Sequence, residues 1–106
     1  MKKTSWFYAA LAAIILAGAA GLAQSSGEAV YKAKCQSCHG AQGTPSPAMA
    51  KAMGVKPASD PAIKSQSAAQ MIAVTANGKG KMPAYKGKLT DAEIKAAVEH
   101  FRSFAK

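Results

Sequence analysis

The pentapeptide Cys35-Gln36-Ser37-Cys38-His39 constrains the fold of this chain more than any other part of its sequence. Its two cysteines are the only ones in the 106 residues. Residues three positions apart lie on the same side of a helical turn, so both thiols would project together, with the imidazole next to them. Any fold of this chain must therefore leave room for whatever these three side chains bind.

The spacing C-x-x-C-H is the attachment signature of c-type haem. Each thiol can form a thioether with one vinyl group of the porphyrin, which places His39 to ligate the iron. A thioredoxin-like site would need a βαβ pattern, which the sequence lacks. A structural zinc site needs about four ligands, and His100 is the only other strong candidate. A disulfide would leave His39 unexplained, so the motif predicts one haem bound covalently by Cys35 and Cys38.

Residues 1–23 have the pattern of a secretory signal peptide. Two lysines give a positive start, an uncharged apolar run follows, and Gly21 and Ala23 stand at the −3 and −1 positions of a cleavage site. We expect cleavage after Ala23, which leaves residues 24–106 as one small domain in the periplasm.

The same N-terminal segment could instead be retained as a membrane anchor. Residues 4–23 carry no charge, and roughly 20 apolar residues are enough to span a bilayer. The run is rich in Ala and Gly and only modestly apolar, so the sequence favours cleavage. Contact with a membrane is expected only if this segment is retained.

The formal net charge is +9, from 14 basic and 5 acidic residues. The basic residues are scattered, no nucleic-acid recognition motif occurs, and the chain is expected to be exported, so nucleic acid is not an expected partner. A basic surface instead suits an acidic partner protein or anionic lipid.

The predicted domain contains little apolar surface of its own. Its apolar residues are mostly Ala, and the only Trp lies in the leader. Because the stabilisation from burial scales with apolar area, Ala contributes little to a core. A buried porphyrin would supply the missing contact surface.

The hydrophobic pattern predicts helices and essentially no sheet. One helix covers residues 27–34 and continues toward Gly40. The other two start with capping boxes at Ser67 and Thr90, whose partners stand three residues later. Residues 41–65 are rich in Gly and Pro and predict a loop with one short helical piece, Ala48–Met53.

The segments GEAVYKAKCQSCHG and NGKGKMPAYKGKLTDAEI resemble the first helix with its haem motif, and the distal loop with the last helix, of class I c-type cytochromes. The likeness is greatest to the short bacterial and algal members and covers nearly all of residues 27–106. It implies an all-α class I cytochrome c fold, with three to four helices around one covalently bound haem c. We expect a monomeric one-electron carrier rather than an enzyme, since ligation of the iron from both sides would leave no free site for a substrate.

The resemblance makes Met82 the second axial ligand of the iron, opposite His39. A thioether is a soft, neutral donor, and His/Met ligation raises the reduction potential. Met49, Met53 and Met71 are competing candidates, although Met in a small core is more often filler.

The resemblance also implies roles around these ligands. In the family a proline carbonyl holds the ligating histidine, and Pro45 or Pro47 could do so here, with Pro47 preferred. Gly27 and Tyr31 match the family's contact between first and last helix. His100 replaces its usual aromatic residue and is expected to be a half-buried packing residue.

Other residues of the distal loop leave two interpretations open. Asn77 and Tyr85 could orient the loop, or could be a helix cap and a packing residue. The loop also carries four lysines, which either form a basic collar that meets acidic redox partners or are simply solvated: Lys79, Lys81, Lys86 and Lys88.

Two other functions remain open from the sequence. An open distal position would make the protein a haem enzyme or gas binder. A retained N-terminal segment would make it a membrane-tethered subunit of a respiratory complex.

Overall fold

The computed structural model describes residues 26–105, which fold into helices joined by loops. Within that range there are six helices and no strand. They are α1 Gly27–Lys34, α2 Gln36–His39, α3 Pro47–Met53, α4 Pro61–Lys64, α5 Ala68–Asn77 and α6 Asp91–Ser103. The all-α prediction is confirmed, and the predicted three to four helices correspond to the longer ones. The predicted signal peptide, residues 1–23, lies outside the described residues.

The first helix runs into the cysteine motif with one interruption. Ser26 caps α1 through its hydroxyl, which accepts the N–H of Ala29 at 3.1 Å. The helix ends at Cys35, whose φ and ψ are −115° and −34°, and α2 continues to His39. Gly40 then ends the helical run, as predicted, with a φ of +84° that favours glycine.

Both predicted capping boxes are present. At the start of α5 the Ser67 hydroxyl accepts the Gln70 N–H at 3.1 Å, and the Gln70 side chain accepts the Ser67 N–H at 2.8 Å. Thr90 and Glu93 form the same pair at the start of α6, at 3.1 and 2.9 Å. Such caps satisfy backbone donors that the helix itself leaves free, and each contributes about 1 kcal/mol.

The short helix α4 lies in the segment predicted to be mostly loop. Asp60 caps it by accepting the Ala62 N–H at 2.9 Å, and Pro61 occupies the first helical position. This Asp-Pro start is a standard helix signal, but the surrounding prolines and glycines obscured it. The predicted piece Ala48–Met53 is confirmed as α3, one residue longer.

Helix α6 forms the centre of the fold and packs against both α1 and α5. Ile94, Ala97 and Val98 are buried along its predicted apolar face, and Met71 of α5 packs on Ile94 and Val98. Tyr31 of α1 is only 1% exposed. Because these side chains come from three helices, they hold the first and last helices together on one side of the domain.

The contact between α1 and α6 depends on a glycine. A Cβ atom at Gly27 would overlap the backbone carbonyl of Ala96. One turn further along, the ring of Tyr31 lies 5.2 Å from His100 and 5.5 Å from Phe104, centroid to centroid. The expected roles of Gly27, Tyr31 and His100 in this contact are confirmed. In the described part of the chain, no helix has the length and apolar character needed to cross a membrane.

Candidate cofactor-binding site

A cavity of about 600 Å³ lies between the cysteine motif and the loop that follows α5. It brings Cys35, Cys38, His39 and Met82 together on its walls, although Met82 is far from the others in sequence. Its volume falls in the usual range for a small-molecule site, roughly 300–1,000 Å³. Much of the remaining wall is apolar and includes Ile63, Met71, Val74, Ala97, Val98 and Phe101.

The two cysteines stand at the junction of α1 and α2. Both are free thiols and partly exposed. The helical turn brings them to the same side, since the N–H groups of Cys38 and His39 both donate to the Cys35 carbonyl, at 3.3 and 3.0 Å. Burial, followed by the neighbouring Cys38, raises the pKa of the Cys35 thiol. The arrangement keeps two separate thiols facing one cavity.

His39 is held by packing on the same side of the cavity. Phe101 meets its ring edge-on, with centroids 5.1 Å apart. Burial lowers the pKa of His39, which favours the neutral imidazole that can ligate a metal. Its Nδ1 atom is buried and has no hydrogen-bond partner within residues 26–105.

The expected proline support for His39 is not present. Neither Pro45 nor Pro47 offers its carbonyl to the buried Nδ1 atom. Pro45 is buried, whereas Pro47, the preferred candidate, is exposed and serves as the first residue of α3. The structure therefore supports neither proline in this role, and Pro47 is instead the first residue of α3.

A tyrosine supports the backbone next to His39. The Tyr31 hydroxyl donates to the carbonyl of Gly40 at 2.6 Å. Burial raises the pKa of Tyr31 to about 12, so the hydroxyl remains a donor at neutral pH. This bond connects the middle of α1 to the residue that follows the histidine.

Met82 is carried by a tight turn that also lines the cavity. The N–H of Lys79 donates to the Met82 carbonyl at 3.1 Å, and the N–H of Met82 donates back at 3.0 Å. Gly78, with a φ of +78°, lets the chain turn back, since a Cβ there would lie 2.9 Å from the Met82 carbonyl oxygen. The Met82 side chain is partly exposed at the cavity.

Tyr85 ties the rest of this loop to two helices. Its N–H donates to the Thr75 carbonyl of α5, and its hydroxyl donates to the Lys34 carbonyl of α1, both at 3.0 Å. The sequence allows Tyr85 either to pack against the core or to orient the loop. Its two hydrogen bonds favour the orienting role. Asn77 is the exposed last residue of α5.

The competing methionines differ in their positions. Met49 does not line the cavity, whereas Met53 and Met71 do. Met71 is buried in the core with Ile94 and Val98, as expected of a filler, and Met53 is 36% exposed on α3.

Lysines surround the same cavity. Lys34, Lys56, Lys79 and Lys81 are among its lining residues, and none of the acidic residues within 26–105 is. Of the four lysines proposed as a collar, Lys86 and Lys88 do not line the cavity. The basic rim is therefore built from three segments, which the sequence could not show.

The residues at this cavity fit a haem bound through thioethers. The donors are two thiols, one imidazole kept neutral by burial, and one neutral thioether, and the wall between them is largely apolar. The buried Thr75 hydroxyl, which also lines the cavity, donates to the Met71 carbonyl at 2.8 Å and so adds no free polar group. In the described range, no cluster of three His, Cys, Asp or Glu side chains is placed to hold a bare metal ion.

An all-α fold with this donor set around one cavity defines a c-type cytochrome, a class that carries covalently bound haem. Residues 22–101 match the family described as cytochrome c oxidase, cbb3-type, subunit III, and the chain belongs to this family.

Solved structures support the same class. The chain is similar to one described as KustC0563 c-type cytochrome, with a TM-score of 0.69 and 30% sequence identity. The match covers 77% of this chain and 100% of that one. No curated protein matches the chain closely enough to count as a relative.

Proposed function

We propose that this protein is a one-electron carrier with a single haem c, bound through thioethers by Cys35 and Cys38 and ligated axially by His39 and Met82. The observation that supports this proposal is the cavity itself, whose walls include all four residues. Cys35, Cys38 and His39 lie within five consecutive residues, whereas Met82 comes from a distant loop.

The residues around the cavity suit electron transfer without catalysis. When bound, the haem supplies a reversible change between ferrous and ferric iron. His39 presents a neutral imidazole because burial lowers its pKa. Met82 would offer the haem a neutral thioether and would fill the position that a substrate or gas needs.

The lysines at the cavity would steer the protein toward an acidic redox partner. Lys34, Lys56, Lys79 and Lys81 are all exposed cavity residues. Transient redox complexes bury little area and depend on complementary charge for fast association. We therefore expect the protein to dock with its partner through this basic rim. We also expect it to be a monomer in the periplasm.

Carbon monoxide binding tests the proposed ligation at Met82. In the reduced holoprotein Met82 should occupy the sixth position, so carbon monoxide should bind slowly. Met82→Ala should open that position and make binding rapid. Met49→Ala is the matched control, because Met49 does not line the cavity, and it should bind carbon monoxide as slowly as the wild type.

Two outcomes would contradict this proposal. Rapid binding by the wild-type protein would indicate an open site and favour a haem enzyme or gas binder. Slow binding by Met82→Ala, with rapid binding by Met53→Ala, would indicate that Met53 of α3 is the sixth ligand.

The family description favours a second candidate, a subunit of an oxidase complex. The haem chemistry would be the same, but the protein would remain with its complex at the membrane through residues 1–23. The mass of the protein isolated from its native host separates the two candidates. A soluble protein that begins at Gln24 supports the free carrier, and a membrane-bound protein that retains the leader supports the subunit.

A further inference from the structure

The Tyr85 hydroxyl joins the loop that carries Met82 to the helix that leads into the cysteines. It donates to the carbonyl oxygen of Lys34 at 3.0 Å, across 51 positions of sequence. Lys34 is the last residue of α1, where an α-helix leaves its carbonyls without intrahelical donors. The bond thus ends one residue before Cys35 and links the two sides of the cavity.

The backbone of Tyr85 is held independently of this bond. Its N–H donates to the Thr75 carbonyl at 3.0 Å, and its own carbonyl accepts the N–H groups of Lys88 and Leu89, both at 2.9 Å. Tyr85 is therefore attached to α5 through its backbone and to α1 through its side chain. Loss of the hydroxyl would remove only the second attachment.

The turn that carries Met82 is less firmly attached to the rest of the fold. Lys79 and Met82 bond mainly to each other. Lys81 donates to the Ala52 carbonyl at 2.7 Å, and this bond is exposed, as is the bond from Tyr85 to Lys34. A long lysine side chain, however, loses much conformational entropy when it is held in place. A tyrosine has only two side-chain torsions to restrict, so its bond is the stiffer connection.

We propose that Tyr85 is a positioning residue that keeps the Met82 loop closed over the cavity and so limits how often the sixth ligand leaves the iron. This inference rests on the proposed function, since it takes Met82 as that ligand. When the hydroxyl bond breaks, the loop can move away from α1 while the cysteines and His39 stay in place. The opened loop then admits an external ligand.

The variant Tyr85→Phe tests this role by removing one oxygen atom and keeping the ring. Ferric holoprotein is mixed with imidazole, and the rate at which imidazole replaces the sixth ligand is measured. A net hydrogen bond is worth a factor of about five in such an equilibrium, so exchange should be about fivefold faster in Tyr85→Phe.

Ser103→Ala is the matched control. It also removes one hydroxyl that donates to a carbonyl near a helix end, that of His100, and it lies away from the cavity. Tyr85→Phe should unfold at slightly lower urea concentration than the wild type, whereas Ser103→Ala should unfold near the wild-type concentration, because the higher helix propensity of Ala offsets the loss of an exposed bond. Only Tyr85→Phe should exchange its ligand faster, which separates a positioning role from the loss of a hydroxyl as such.

The wild-type protein is first checked for covalent haem and a six-coordinate, low-spin absorption spectrum. If these are present and Tyr85→Phe exchanges at the wild-type rate, the positioning role is overturned while the proposed function stands. If they are absent, the proposed function fails and the role of Tyr85 fails with it.

Discussion

At the scale of single residues, two tyrosine hydroxyls hold the backbone just before and just after the motif Cys35–His39. Tyr31 donates to the carbonyl of Gly40 on the side of His39, and Tyr85 donates to the carbonyl of Lys34 near the cysteines. Burial raises the pKa of both phenols. Both hydroxyls therefore remain protonated donors at neutral pH, where their acceptors are backbone oxygens that do not titrate.

The raised pKa of Tyr31 predicts how stability depends on pH. In the unfolded chain this phenol titrates near pH 10, and in the folded protein its pKa is about 12. As pH rises between these values, the unfolded chain loses its proton first and is favoured. The stability that Tyr31 contributes is therefore fully present below about pH 10 and is lost as pH rises toward about 12.

Urea unfolding of holoprotein at several pH values, with Tyr31→Phe for comparison, checks this prediction. At neutral pH the variant should be less stable by about 1 kcal/mol, since it lacks the bond to Gly40. The difference should shrink above about pH 10, because only the wild type has a Tyr31 hydroxyl to ionise. A difference that stays constant up to pH 11 would contradict the assignment.

The ligating residues of the cysteine motif could be predicted from the sequence, but their surroundings could not. The cysteines and His39 could be assigned because their chemistry lies in five consecutive residues. The environment of His39 could not, because it depends on which side chains pack across the cavity. Phe101, rather than a proline carbonyl, is the neighbour that the structure gives to its ring.

At the scale of elements, the close approach of α1 and α6 depends on the absence of a side chain at Gly27. A Cβ atom there would overlap the Ala96 carbonyl, which belongs to rigid helix backbone. Gly27→Ala gains about 1 kcal/mol of helix propensity, but such overpacking costs about 1–3 kcal/mol. These figures leave a net cost of up to about 2 kcal/mol, and because the obstacle is rigid backbone we expect destabilisation near that upper value.

The change is measured as the free energy of unfolding in urea. Ala33→Leu, which adds side-chain atoms on the exposed side of the same helix, is the control and should change it by less than about 0.5 kcal/mol. Equal stability of Gly27→Ala and wild type would show that the helices do not approach as closely as described.

The helices with strong local signals were the predictable ones. The capping boxes at Ser67 and Thr90 are local hydrogen-bond patterns, so sequence alone located both starts. Helix α4 is only one turn long and begins among prolines and glycines, where local preference is ambiguous. The break at Cys35 between α1 and α2 also has no sequence signal.

At the scale of the whole molecule, charge is arranged around the cavity. Lysines from α1, from the segment after α3 and from the distal loop line it, and no acidic residue of the described range does. Sequence could propose a collar only from lysines near Met82. Whether a lysine faces the cavity depends on tertiary structure. The predicted collar therefore contains Lys86 and Lys88, which do not line the cavity, and omits Lys34 and Lys56, which do.

This arrangement predicts that electron exchange depends on the charge of the reagent. Lys79→Gln should slow oxidation of the reduced protein by ferricyanide about twofold at low ionic strength, because one attractive charge is lost near the cavity. It should not slow oxidation by a cationic cobalt complex. Lys95→Gln, on α6 and away from the cavity, is the control for net charge.

Equal slowing by the two substitutions would mean that only net charge matters and that the cavity rim has no special role. Rates that do not change with ionic strength would exclude steering altogether.

The mass of the denatured protein tests the central claim most directly. Protein made in a host that matures c-type cytochromes is unfolded in acid, which releases haem that is held only by ligation. The predicted result is a polypeptide that carries one haem, with none on the double variant Cys35→Ser and Cys38→Ser. A wild-type mass equal to the polypeptide alone would contradict the account.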